Sequence, residues 1–309
     1  MRSRENTLLL SLAVFTAIVT LFAPRFIYLE NLALILYAAS VLGLVAIAQT
    51  IVILSGGIDI SVGAILAISA SLIAGTVHAG LPAPLSIAIG LSAGALLGLV
   101  NGSLITFVRI PPIIVTLATL HIFRGGIDLV MGGLSIPPPT EQLPLLTSAE
   151  VGRHVQVCIF VVTAIAVGLV LGHTRLGRAI YAVGDNPSAA EINGVNVNRV
   201  RLLVYVASGL LSAVAGIVFV SRAASINRLA GLNVEFIAIG AVVVGGTNLF
   251  GGSGTIRGTV TGVVLIFAMY NAMVISHIPA TWQDSVTGGL ILIAVGVNVF
   301  RRRTGNESA

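Results

Sequence analysis

The chain has 309 residues, 56% of them hydrophobic and 9% charged, with a mean hydropathy of +1.06; soluble domains carry roughly 25% charge, so that class is excluded. A net charge of +5 and a pI near 10.1 do not point to nucleic acid, because the basic residues lie between apolar runs and report membrane topology instead. All 16 basic residues are arginine, and without lysine there is no phosphate loop of the GxxxxGKS or GxxxxGKT type, so the chain cannot draw on ATP by itself.

Apolar runs long enough to cross a bilayer recur along the whole length, which predicts an all-α, polytopic transmembrane bundle in a single domain, 1–309. Thr7 to Ala23 and Leu32 to Leu54 read as the first two spans, and the second ends at Gly56-Gly57. Ile60 to Ala79 is the third, closed by a Gly-Leu-Pro-Ala-Pro turn, and Leu85 to Val108 the fourth. Gly90, Gly94, Gly98 and Gly102 recur every fourth residue in that span. They remove the side chains from one face, so another helix approaches there, not lipid.

Arg109-Ile-Pro-Pro112 interrupts the chain before span five, Ile113 to Met131, which contains Arg124 and Asp128. These two stand four residues apart, on one helix face, and are expected to turn away from lipid and answer each other. The loop from Gly132 to His154 precedes span six, Val155 to Gly172, whose Cys158 reads as packing. Span seven, Leu202 to Val220, again spaces small residues by four (Ser208, Ser212, Gly216). Phe236 to Phe250 is short and glycine-interrupted, the pattern of a broken or re-entrant helix. Gly258 to His277 and Trp282 to Phe300 bring the count to about ten spans.

With the N-terminus in the cytoplasm, ten spans put Arg2, Arg4, Arg109, Arg175, Arg178, Arg199, Arg201, Arg257 and Arg301 to Arg303 inside, and Arg25, Arg153, Arg222 and Arg228 outside. That bias satisfies the positive-inside rule with both termini cytoplasmic. It also makes the long polar stretch 173–201 cytoplasmic. Within it, Asn186-Pro187 leading into Ser-Ala-Ala-Glu predicts a short helix. The stretch is either a solvated connection or a docking handle for a cytosolic partner.

Ser55-Gly56-Gly57-Ile-Asp59-Ile-Ser61-Val-Gly63 is the most informative short motif. Asp59 with Ser61 offers an N-cap for span three; alternatively the glycines make a backbone-lined bend, tolerated at membrane depth only where it faces protein or water. A second glycine pair, Gly251-Gly252, precedes Thr255 to Gly258 in the same way, a weak echo of the kind that inverted repeats leave. The five histidines (78, 121, 154, 173, 277) have no metal-ligand spacing, and no nucleophile cluster suggests a membrane enzyme.

Four blocks, SGGIDISVG, GLVNGSLITFVRIPPIIVTLATL with a following FRGG, AVGDNPSAAEINGV and IAIGAVVVGGTNLFGGSGTIRGTVTG, lie in an order that resembles the membrane subunit of ribose-family ABC importers. FRGG and HIPATWQD resemble the autoinducer-2 and rhamnose branches. Asn193 stands where Ser is frequent in the family, which leaves docking intact but names no substrate.

The resemblance implies a permease that does no chemistry and needs no cofactor or metal, embedded with its lipid in the bacterial inner membrane. It implies a separate ATP-binding cassette ATPase, a second permease subunit and a periplasmic solute-binding protein. Gly184, Asp185, Asn186, Ala189, Ala190 and Gly194 match the family's ATPase-coupling segment. Candidates for the solute path are Ser55, Gly56, Gly57, Asp59, Ser61, Asn101, Thr116, Thr119, Arg124 and Asp128. A monosaccharide or autoinducer-2 is the expected solute; a permease for branched-chain amino acids or nucleosides, or a self-sufficient secondary transporter, is the alternative. An ion-coupled carrier would want a relay of embedded carboxylates, for which only Asp59, Asp128 and Asp284 qualify.

Overall fold

The computed structural model describes residues 2–148, 151–223, 225–227, 229–279, 281–283, 285–289, 292 and 296. Most of the expected tenth span, together with Asp284, Arg228 and Arg301 to Arg303, therefore lies outside the described residues.

The helices are α1 (Arg2–Phe22), α2 (Leu29–Leu54), α3 (Val62–His78), α4 (Ala83–Thr106), α5 (Pro112–Met131), α6 (Pro144–Thr147), α7 (Val151–His173), α8 (Arg175–Asp185), α9 (Pro187–Ile192), α10 (Val197–Val220), α11 (Val234–Val244) and α12 (Ile256–Ile275). A 3₁₀ turn, Pro24–Ile27, joins α1 to α2. Among the described residues six helices are long and apolar enough to cross a membrane, and the apolar segments Leu8–Phe22, Val62–His78 and Val234–Val244 are shorter. The polytopic helical bundle is thus established.

α10 is the centre of the bundle, packed against α4, α3 and α2. The glycine stripe explains how. A Cβ built on Gly94 would stand 2.6 Å from the Gly209 carbonyl oxygen, one on Gly98 would strike the Tyr205 carbonyl, and one on Gly90 would meet Ile73 of α3. Backbone meets backbone at this crossing, where dispersion and close fit replace the hydrophobic effect that lipid removes. The opposite face of α4 exposes Leu96 and Val100. Cys158, expected to pack, is exposed on α7.

Two helices depart from the expected lengths. α3 starts at Val62 instead of Ile60, because Asp59 accepts the Ser61 N–H and keeps 56–61 out of the helix. α11 has 11 residues, about 16 Å, roughly half the hydrocarbon thickness. Its chain turns at Gly245, which lies directly on Gly258 of α12. The expected broken segment is therefore a half-helix, ended by the turn 245–255.

The polar stretch is more ordered than a loop. Asn186 caps α9 by accepting from Ala189 N (3.0 Å), with Pro187 at the first helical position, as expected. The additional helix α8 is capped by Thr174, which accepts from Gly177 N (3.1 Å). It buries Ile180 and Val183 against the bundle.

Candidate translocation site

Asp59 is fully buried and is bonded by residues of α2 and α10 and by Ser61 at the start of α3. Its Oδ1 accepts from Ser61 N (3.0 Å) and Ser61 Oγ (2.6 Å), and its Oδ2 from Ser208 Oγ on α10 (3.0 Å). Ser61 Oγ accepts in turn from Asn101 Nδ2 of α4 (2.8 Å). Gln49 of α2, its amide turned to satisfy both groups, donates to the Asp59 carbonyl (3.0 Å) and accepts from its N–H (3.3 Å). Thr116 of α5 closes the cluster by donating to Ile58 O (3.2 Å).

The capping expectation is corrected in its detail. Ser61 is the N-cap residue of α3, but its side chain makes no capping bond; it is committed to Asp59, whose carboxylate holds the preceding turn. Of the expected path residues, Asp59, Ser61, Asn101 and Thr116 converge here. Thr119 lies one turn along and bonds Thr116 O. Ser55 instead bonds Val52 O at the end of its own helix. Gly57 makes room for Tyr205, whose hydroxyl would stand 2.5 Å from a Cβ there. Tyr205 OH and Asn101 Oδ1 are buried with no hydrogen-bond partner among the described residues. Each therefore keeps an unfilled hydrogen-bonding position.

Arg124 lies about two turns beyond Thr116 on α5. Its guanidinium donates to Ala230 O and to Gly231 O (2.8 Å), pinning the loop that leads into α11. Glu235, in the first turn of α11, is 2% exposed, and its charge acts on Arg124. Its Oε2 rests against Gly63. Sequence reading missed Glu235, although a carboxylate directly before an apolar segment is the signal that would have found it. Asp128 is half-buried one turn beyond Arg124.

Leaving a buried charge without its partner costs roughly 3–5 kcal/mol. Arg124→Leu is therefore expected to lower folded yield in detergent. Adding Glu235→Gln or Asp128→Leu should restore part of it. Size-exclusion recovery of the single and double variants checks this; equal rescue by both would assign the two carboxylates equal shares of Arg124.

Three glycine segments far apart in sequence meet at one end of the bundle. Gly252 N donates to Leu54 O (3.1 Å). A Cβ on Gly251 would stand 3.0 Å from Gly56 Cα, and one on Gly184 would land on Leu54 O and 2.7 Å from Gly252 N. The two echoing glycine pairs therefore touch, with α8 pressed onto both. At the other end His78 bonds Pro137 O (2.9 Å), and Ile136 pairs with Ile226.

This geometry divides the six coupling candidates. Gly184 packs on this chain's own backbone, and Ala190 is buried in its core at 4% exposed. Asp185, Asn186 and Gly194 face outward, with Ala189 half-buried. Ile192 is 87% exposed, a large apolar knob that sequence reading did not single out.

The chain is 36% identical over 299 residues to the ribose import permease protein RbsC of Escherichia coli, covering 95% of this chain and 93% of that one. It is 39% identical over 289 residues to the ribose import permease protein RbsC of Bacillus subtilis, covering 93% and 90%. It is 35% identical over 307 residues to the autoinducer 2 import system permease protein LsrC of Yersinia enterocolitica, covering 97% and 83%. No solved structure matches it. Residues 31–295 match the family described as branched-chain amino acid transport system / permease component. The chain belongs to that family of membrane permease subunits, which transport and do not catalyse.

Proposed function

We propose that this chain is the membrane subunit of an ABC importer for a small hydroxylated solute, a monosaccharide or autoinducer-2. The observation that carries the solute class is the Asp59 cluster, a buried set of neutral donors and acceptors around one fully bonded carboxylate. Sites built to bond hydroxyls discriminate strongly, because a solute lacking them leaves buried polar groups unpaired. The similarity to ribose and autoinducer-2 permeases supports the same class.

In this reading residues 1–309 are one transmembrane permease domain of about ten spans, with both termini on the cytoplasmic side of a bacterial inner membrane. A second permease subunit, an ABC ATPase and a periplasmic binding protein complete the system. The end carrying α8, α9 and the glycine junction faces the cytoplasm. The solute path runs past Asp59, Ser61, Asn101 and Thr116, with Arg124 and Asp128 alongside.

Purified chain alone in proteoliposomes is expected to show no ATP-driven or ion-driven uptake, and addition of its ATPase and binding protein should restore accumulation. Accumulation against a gradient by the chain alone would establish a secondary transporter instead. The family description keeps branched-chain amino acids as the second solute class; competition of uptake by ribose against leucine separates the two.

Docking of the ATPase on α9 is carried by Ile192, flanked by Asp185, Asn186 and Gly194. Burying an exposed isoleucine contributes about 1.5–3 kcal/mol, so Ile192→Glu should reduce ATPase co-purification by about tenfold or more with folded yield unchanged. Undiminished co-purification would return 173–201 to a solvated connection.

A further inference from the structure

A cavity of about 1080 Å³ lies between α1, α7 and α12, away from the Asp59 cluster. It exceeds the ~300–1,000 Å³ of pockets that enclose a drug-sized ligand. Its walls are hydrocarbon, with Leu9, Ile165, Leu169 and Val260 among the lining residues. Leu9, Ile165 and Leu169 are more than half exposed, so the groove opens laterally. Its polar residues gather at one end, the end of the glycine junction. There Tyr181 is committed to Gly254 O (2.9 Å), while His173 and Arg257 are exposed on the groove. The lining contains no acidic residue.

We propose that this groove is a binding site for one anionic phospholipid, its acyl chain lying along α7 and α12 and its phosphate held by Arg257 and His173. An apolar trough closed at one end by cationic and N–H donors matches a lipid with a negative headgroup. Basic pockets between membrane helices on the cytoplasmic side recognise such headgroups. Naming the inner leaflet rests on the orientation proposed above; the site itself does not. Occupied, it would tie α7, which leads into α8 and α9, to α12, which leads out of the glycine junction. The lipid would then brace the end on which the ATPase is proposed to dock.

The full chain, reconstituted in nanodiscs of phosphatidylcholine with a minor fraction of phosphatidylglycerol and then extracted into detergent, is assayed by mass spectrometry of the retained lipid. Wild type should retain phosphatidylglycerol above its bulk proportion. Arg257→Gln should lower that enrichment about fivefold, the worth of one cation near a charged headgroup. Arg109→Gln, which is not on the groove, should leave it unchanged, and Ala164→Trp should lose both lipids by filling the trough. Enrichment unaffected by Arg257→Gln overturns the headgroup assignment. Cross-linking between copies from position 165 with no lipid retained overturns the site, showing that a second copy of this chain covers the groove. Because Arg257→Gln changes only an exposed side chain, a folding defect in Ala164→Trp leaves the test intact. Failure here would not touch the solute reading, which rests on different residues.

Discussion

Asp59→Leu is expected to abolish recovery of folded protein. The substitution removes the acceptor of three hydrogen bonds, from Ser61 N, Ser61 Oγ and Ser208 Oγ. Bonds to charged groups contribute about 1.5–3 kcal/mol each, and the donors left behind are buried. Even with strong non-additivity, the loss approaches the ~5–15 kcal/mol that holds a typical domain together. The effect spreads because Asp59 is where α2, α3 and α10 are tied to one another, with α4 joined through Asn101. Asp59→Asn keeps the shape and one acceptor oxygen, and should be recovered in reduced amount with a lowered Tm. Uptake by recovered Asp59→Asn then separates two roles: folded protein without transport places the cluster on the path, and transport in proportion to folded protein makes it a clasp only. Wild-type recovery of Asp59→Leu would show that the bonds are not needed for the fold.

The second large effect is at Gly184. Overpacking a close-fitting site costs about 1–3 kcal/mol when side chains can shift. Here the obstacles are the Leu54 carbonyl and the Gly252 amide, main-chain groups that cannot rotate away. Gly184→Ala should already lower Tm markedly, and Gly184→Leu should prevent folding. Gly194, ten residues on in the same polar stretch, provides the contrast. It has φ +81 and open space around it, so Gly194→Ala should cost only about 1 kcal/mol of backbone strain. Thermal unfolding of the two alanine variants checks the ordering. Similar losses at both positions would mean that backbone conformation, and not the three-way junction, is what Gly184 supplies.

The proposed coupling segment shows why a motif is a weak guide to a surface. Gly184, Asp185, Asn186, Ala189, Ala190 and Gly194 lie within one short stretch, and the resemblance assigned all six to a partner's docking site. Folded, Gly184 and Ala190 serve the chain itself. The outward side of α9 passes to Ile192, an apolar residue that composition alone would bury. Glu235 and Gln49 were missed for a related reason: one precedes an apolar segment and the other lies within one, and the importance of each lies in what it meets.

The amino-acid sequence by itself determined the membrane class, the all-helical fold, the close-packed faces of α4 and α10, the half-helix before α12 and the capped start of α9. All of these follow from constraints that are local or imposed by the bilayer: helix period, missing side chains, proline and glycine punctuation, and the cost of unpaired backbone in hydrocarbon. Tertiary structure decided which elements meet. Ser208 reaches Asp59 across 149 positions and Arg124 reaches Gly231 across 107, and no periodicity connects such pairs. In a chain with 35 glycines, spacing shows where a helix can approach, while which helix arrives depends on the fit of every other face at once.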